Sequence, residues 1–295
     1  MEVKLAKGHL MDLVISMKEN ILSTLSAIIG MRHIALTPSG NAAILASLKA
    51  VKAYAEQRGI IKKAILVPEQ GGWITYLQYP GRLRLDIVRV RTDAGVIDLE
   101  GFREKSSAAL AILYANPAGY FAKQDASAIH EIGKRNGCMV IEDISGSVGK
   151  SPVAADIAVC SFGKDKPLNV HHGGCIATDS AGIYDAIEPI VTKAAKQCDE
   201  HQLGRLAQEL AALEQKYRQW DEVREKIISD LEQKHYIIHK DKGGPNVIVR
   251  FSDETEKESI IKYCDEQGLP YTLCPRYIRV AEDAVSIEVK RLFQR

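Results

Sequence analysis

A chain of 295 residues, 46% hydrophobic and 26% charged, has the profile of a soluble globular protein with room for one large domain and a smaller companion. Its 39 basic and 38 acidic residues leave a formal net charge of +1, so no global field directs it to nucleic acid or anionic lipid. No run approaches the roughly 20 apolar residues of a membrane span, no signal peptide is recognisable, and the six cysteines form no CxxC pair; a cytoplasmic protein with reduced thiols is expected, with neither membrane nor nucleic acid as a partner.

After an amino-terminal helical segment, helical periodicity alternates with short apolar runs. Residues 42–58 repeat apolar side chains at helical spacing, and "KAILVP" (63–68) reads as a buried strand. "LDIVRV" (85–90), "ALAILYA" (109–115), "CMVIED" (138–143), "DIAVCSF" (156–162) and "GGCIATD" (173–179) are further strands. "DASAIHEIGKRNG" (125–137) is a helix stopped by Asn136-Gly137. Strands apolar throughout and separated by helices belong to a sheet covered on both faces, so an α/β fold with a mostly parallel sheet is expected. Near residue 181 the pattern changes. A long amphipathic helix follows, with Leu203, Leu206, Leu210, Leu213, Tyr217, Trp220, Val223, Ile227 and Leu231 stepping by three or four; its expected role is to bridge two domains. Beyond "KDKGGPN", the order "VIVRF", "DETEKESIIKYCDEQG", "YTLCP", "YIRVA" predicts a small α+β domain ending in a final helix. The expected division is 1–195 for the large domain and 196–295 for the long helix and small domain.

Open α/β sheets bind ligands beyond the carboxyl ends of their strands. "LTPSGNAAIL" (36–45) places Ser39, Gly40 and Asn41 directly before a helix, which makes either an anion site or an ordinary N-cap. "VPEQGGWITY" (67–76) delivers Trp73 behind two glycines, for core packing or to lie against a planar ligand. In "NPAGY" (116–120), Asn116 either donates a hydrogen bond or opens a turn. "IED" ends a strand at Asp143, a carboxylate suited to a cation or to a loop cap. The loop "SFGKDKPLNVHHGGCIATD" (161–179) holds two lysines, His171, His172 and Cys175. Adjacent residues in extended chain diverge, so no metal site is expected there, and Gly173-Gly174 serves to turn the chain. A lysine in a setting that favours the neutral amine can form a Schiff base. Pyridoxal phosphate requires such a lysine, an acid facing its ring nitrogen, a phosphate cradle and a wall for the ring. The chain offers all four.

These motifs, in this order, resemble the fold-type I pyridoxal-phosphate enzymes, most closely the DegT–StrS family of sugar-nucleotide aminotransferases. "SGNAAI" is similar to the family's phosphate-binding "SGTAAL", and "IEDISG" to the "IEDAAQ" whose Asp holds the pyridinium. "SFGKDKPLNVHHGG" resembles the segment in which the Schiff-base lysine lies five residues after a serine, and that register selects Lys166 over Lys164, with Ser161 touching the phosphate. The resemblance implies a three-layer large domain, pyridoxal 5'-phosphate as cofactor, and Lys166 and Asp143 as catalytic residues. It also implies Ser39, Gly40, Asn41, Trp73, Asn116 and Ser161 as cofactor contacts. Asn116 would reach the ring oxygen, as the Asn of "NPxG" does in other fold-type I aminotransferases. The implied reaction moves an amino group from an amino-acid donor to a carbonyl acceptor such as a keto-sugar, in a homodimer. Departures are Gly146, where the family has a glutamine three residues after the Asp; His172, where it has an acidic residue; and the lack of an "NYRM"-like segment after Asp179. "GKDKP" is also similar to the lysine segment of selenocysteine synthase. A lyase or a sulfur- or selenium-transfer enzyme, and a non-catalytic subunit of the same fold, therefore stand as alternatives.

Overall fold

A computed structural model describes residues 2–194 and 200–292. In chain order it contains α1 (Glu2–Ile29), β1 (His33–Thr37), α2 (Gly40–Gln57), β2 (Ala64–Pro68), the single turn α3 (Tyr79–Arg82), β3 (Asp86–Val90) and a short hairpin of β4 (Thr92–Asp93) and β5 (Val96–Ile97). Then come α4 (Leu99–Ser106), β6 (Ala109–Ala115), α5 (Ala126–Asn136), β7 (Met139–Asp143), β8 (Ile157–Ser161), β9 (Gly174–Thr178), α6 (Ala181–Ala194) and α7 (Glu200–Leu231). The carboxyl-terminal part adds β10 (Ile237–Ile238), β11 (Val247–Arg250), α8 (Glu254–Glu266), β12 (Tyr271–Leu273) and β13 (Ala284–Ile287).

Seven strands form one sheet in the order β1-β9-β8-β7-β6-β2-β3. Only β9 runs against the others, pairing antiparallel with both β8 and β1. The carboxyl ends of β1, β2, β6, β7 and β8 therefore share one edge. Period-two alternation divides each strand between two covering layers. Ile65, Val67, Leu113, Ile141 and Val159 pack with α2 and α6, whereas Leu66, Ile112, Tyr114 and Val140 pack with α4 and α5. Ala158, Cys160, Cys175 and Ala177 face α1 and α7 on the same side as α4 and α5. The result is a three-layer α/β sandwich, and each strand reads as continuously apolar because it is buried on both faces. Cys138, Cys160, Cys175, Cys264 and Cys274 are buried free thiols. The expected boundary at 195/196 and Cys198 lie outside the described residues.

Helix α7 carries its stripe of Leu203, Leu206, Leu213, Tyr217, Trp220, Ile227 and Leu231 into one core shared by α1, the large sheet, and Val247, Val249, Val285 and Ile287 of the second sheet. It is a bridge, with Trp220 only 1% exposed. The second sheet has the order β10-β11-β13-β12, with α8 packed on it. Here the expected elements need correction. "YIRVA" is a turn, and the strand lies further on at β13, inside the stretch read as a final helix; among the described residues only a 3-10 turn, Val289–Arg291, follows it. Val285 and Ile287 face the core while Ser286 meets Glu288, a strand alternation that the adjacent charges obscured.

What holds this turn in place is a buried ion pair. Arg279 Nε and Nη2 donate to Glu288 Oε1 and Oε2 at 2.8 and 2.7 Å, and the two residues are 2% and 0% exposed. Asn246 Nδ2 and Ser286 Oγ complete the carboxylate's shell, each at 3.0 Å. Burial alone would raise the Glu288 pKa, but the hydrogen bonds and charge of Arg279, with Lys290 and Arg291, bring it down to about 2. A carboxylate depressed on folding stabilises above its unfolded pKa of about 4.3 and loses that contribution as pH falls through its folded value. The ionised carboxylate therefore adds pH-dependent stability that is lost as pH falls from about 4 toward 2. Glu288→Gln is expected to flatten that dependence and, by stranding Arg279, to destabilise the protein by about 3–5 kcal/mol at neutral pH. Urea unfolding of both proteins at several pH values measures this; the same acid slope in both would count against the pair.

Candidate active site

Each predicted residue stands at the carboxyl edge of the large sheet. After β1 the chain reaches Ser39, whose extended backbone and side chain cap α2: its Oγ accepts from Ala42 N at 3.1 Å. Gly40 opens the helix where no side chain fits, because a Cβ there would come within 2.3 Å of Ser161 Cβ. The amino end of α2 thus lies against the end of β8, leaving helix N–H groups beside Ser161 for an anion. Trp73 follows β2 by way of Gly71 (φ +80°) and Gly72, and its Nε1 donates to Asn41 Oδ1 at 2.8 Å. Asp143 ends β7 and Ser161 ends β8; the Ser161 amide donates to Ser145 Oγ at 2.8 Å. Lys166 sits in the loop from β8 to β9, which is closed by hydrogen bonds from Val170 N to Phe162 O and from Phe162 N to Gly173 O.

The structure brings Ser39, Gly40, Asn41, Trp73, Asp143, Ser161 and Lys166 around one cavity. Asn116 is not part of its lining. The Asn116 amide is buried under the site, donating to Glu142 Oε1 at 2.7 Å and accepting from Gln124 N at 3.0 Å, so the expected reach to a cofactor oxygen is corrected to a structural brace. Lys164, His171 and His172 are exposed.

The electrostatics divide the cavity. Asp143 is held by two neutral donors: Tyr76 Oη to Oδ2 at 2.7 Å and Ser145 N to Oδ1 at 3.0 Å. Burial raises the Asp143 pKa, and the hydrogen bonds from Ser145 and Tyr76 oppose the rise. A buried carboxylate with neutral partners fits a cationic ring nitrogen, which would supply the missing countercharge. On the other side, burial of the Lys166 amine, reinforced by Lys290 and Arg279, holds its pKa well below the usual lysine range, against the pull of Glu288. Lys166 Nζ donates to Tyr120 Oη and stands 5.5 Å from the Trp73 ring centroid. Burial also takes the Lys290 pKa down to about 8. An amine with a depressed pKa, a countercharge-seeking carboxylate, an aromatic wall and a glycine-shaped anion cradle are the donor set that pyridoxal phosphate needs, and the residues fit it.

Several contributors escape sequence reading. Tyr76, Tyr120, Arg279 and Lys290 carry no motif, since isolated tyrosines and charged residues ordinarily pack in cores or face water. Ser145 had a signal, standing two residues after Asp143 where a backbone amide commonly turns back to the carboxylate.

Comparison with known proteins places the chain. The model of the DegT/DnrJ/EryC1/StrS aminotransferase family matches residues 18–213, and that of the MJ1341 family C-terminal domain matches residues 214–294. No curated protein matches the chain by sequence. Among solved structures, the chain is similar to 3-amino-5-hydroxybenzoic acid synthase at 17% identity and a TM-score of 0.73, over 95% of this chain and 86% of that one. It is similar to PseC of Helicobacter pylori, an aminotransferase involved in the biosynthesis of pseudoaminic acid, at 12% identity and 0.72, over 92% and 85%. It is also similar to GDP-4-keto-6-deoxymannose-3-dehydratase (ColD) with bound GDP-perosamine, at 14% identity and 0.69, over 92% and 88%. At such identities these likenesses establish the shared fold. The family match spans more than half of the chain, and on that ground it belongs to the DegT/DnrJ/EryC1/StrS aminotransferase family, a family of pyridoxal-phosphate-dependent enzymes.

Proposed function

We propose that this chain moves an amino group from an amino-acid donor to a carbonyl acceptor of the sugar-related class, with Lys166 as its reactive amine. The observation that carries the reading is the single cavity at the sheet's carboxyl edge, where Lys166, Asp143, Trp73 and the Ser39–Gly40–Ser161 cradle converge. Bound pyridoxal phosphate supplies an electron sink for the substrate's α-carbon. Lys166 Nζ, whose pKa burial and nearby cations hold well below the usual lysine range, would bond the cofactor and take and return the substrate's α-proton. Asp143 would keep the proton on the ring nitrogen, Trp73 would wall the ring, and the amino end of α2 with Ser161 would receive the phosphate. The reading takes residues 1–195 as the cofactor-binding domain and 196–295 as the smaller one, in a homodimer.

A visible absorbance spectrum of the purified protein with pyridoxal phosphate, before and after glutamate, tests this. The expected result is a visible band that requires Lys166 and bleaches when the donor is added. A band that persists while pyruvate or sulfide is released from an amino acid would replace transamination with lyase chemistry. No band at all would remove the reading.

A further inference from the structure

We propose that Tyr120 is a further catalytic residue, whose hydroxyl exchanges a proton with the Lys166 amine from the space that Gly146 leaves open. This rests on the reading of Lys166 as the reactive amine. Tyr120 lies in the turn after β6 at φ 69°, a left-handed conformation that residues with side chains seldom adopt and that the surrounding structure must hold in place. The strained backbone aims the ring over Gly146. A Cβ at Gly146 would stand 2.9 Å from Tyr120 Cδ1 and 3.1 Å from Pro117 Cδ, so any larger residue at that position would displace the ring. The glutamine that the family resemblance leads one to expect there is thus replaced by bare backbone and a tyrosine from another loop.

The ring is surrounded by positive charge. Lys166 Nζ donates to Tyr120 Oη and lies 4.3 Å from the ring centroid, Lys290 Nζ lies 4.6 Å from it, and the Arg279 guanidinium carbon 5.1 Å. The facing negative charge is Glu288, already bound bidentately by Arg279, while Lys290 Nζ donates to the Asp165 carbonyl at 3.3 Å. In the transfer, the Tyr120 O–H bond breaks as a Lys166 N–H bond forms, and the reverse step restores both groups, so no other reactant is consumed. The negative charge left on Oη is stabilised by the new Lys166 ammonium and by Lys290 and Arg279. Tyr120 can thereby lend a proton to the Lys166 amine when that amine must act as an acid, and take it back before the amine acts again as nucleophile or base.

The test uses the full chain and its Tyr120→Phe variant. Borohydride reduction in the presence of pyridoxal phosphate, followed by peptide mass analysis, reports which lysine captures the cofactor. Competitive acetylation of the cofactor-free proteins across pH reports the titration of Lys166 itself. The expected result is capture at Lys166 in both proteins, a shifted Lys166 titration in the variant, and kcat lower by about 10²-fold. Unchanged kcat together with an unchanged titration would overturn the proposal. Capture at a lysine other than Lys166 in the unaltered protein would overturn the underlying site reading and the proposal with it, an outcome visible before any variant is compared. If Tyr120→Phe does not fold, Gly146→Ala, which displaces the ring by one methyl group, is expected to lower kcat in the same way; full activity in that variant overturns the assignment.

Discussion

Lys166→Ala is expected to lose turnover by about 10⁴-fold or more, the upper end of what one positioned acid–base group supplies, because it removes both the nucleophile and the proton carrier. The surroundings that depress the Lys166 pKa explain why a neighbour cannot substitute. Lys164 is exposed, and Lys290 is held near Glu288 and by the Asp165 carbonyl. The same variant has an opposite effect on the fold. A lysine whose folded pKa lies below its unfolded value near 10.4 costs stability at neutral pH, where the unfolded chain binds the extra proton. The cost shrinks as pH rises toward that unfolded value. Lys166→Ala should therefore be at least as stable as the parent at pH 7, with the difference closing at alkaline pH. Steady-state turnover and thermal unfolding measured on one preparation check both halves. An active variant would remove Lys166 from the chemistry, and a stability difference that does not close as pH rises would count against the depressed pKa.

Asp143→Asn is the second large effect, with an expected loss of about 10² to 10³ in turnover, the range for deleting one electrostatic contact to a developing charge. The amide keeps the shape and can still accept from Tyr76, but it provides no countercharge for a protonated ring nitrogen. Folding should respond in the other direction here too. The Asp143 pKa is raised by burial, so ionising that carboxyl costs free energy in the cofactor-free protein at neutral pH, and the cost falls away as pH drops through the folded pKa. The cofactor-free Asn variant is expected to melt at or above the parent's temperature, while pyridoxal phosphate stabilises it less than it stabilises the parent. A variant that binds and turns over like the parent would assign Asp143 a structural role alone.

The large sheet was legible because its strands are buried on both faces. "ALAILYA" and "CMVIED" are continuous apolar runs between helical segments, and each became a strand within a residue of its expected limits. The chain order of motifs likewise foretold that Ser39, Trp73, Asp143, Ser161 and Lys166 would meet, since parallel strands bring their carboxyl ends to one edge. Strand β1 was missed because "HIALT" is short and gains its place only by pairing with β9, a partner far along the chain. The last strand was misread because Glu282, Asp283 and Glu288 make "AEDAVSIEVK" look amphipathic, when Glu288 is in fact buried against Arg279.

By itself, then, the sequence determined the α/β class and the bridging helix through periodicity, and its motifs with the family resemblance picked out several of the residues that stand around the cavity, though not Tyr120 or Ser145. Tertiary structure alone decided the electrical character of that cavity. Whether Asn116 braces or binds depends on Glu142 and Gln124 lying beside it. How far the Lys166 pKa is depressed depends on its burial and on Lys290 and Arg279, more than a hundred residues further along, arriving next to Tyr120. Local sequence carries backbone preference and burial pattern, but the free energy of a charge is set by what surrounds it in space.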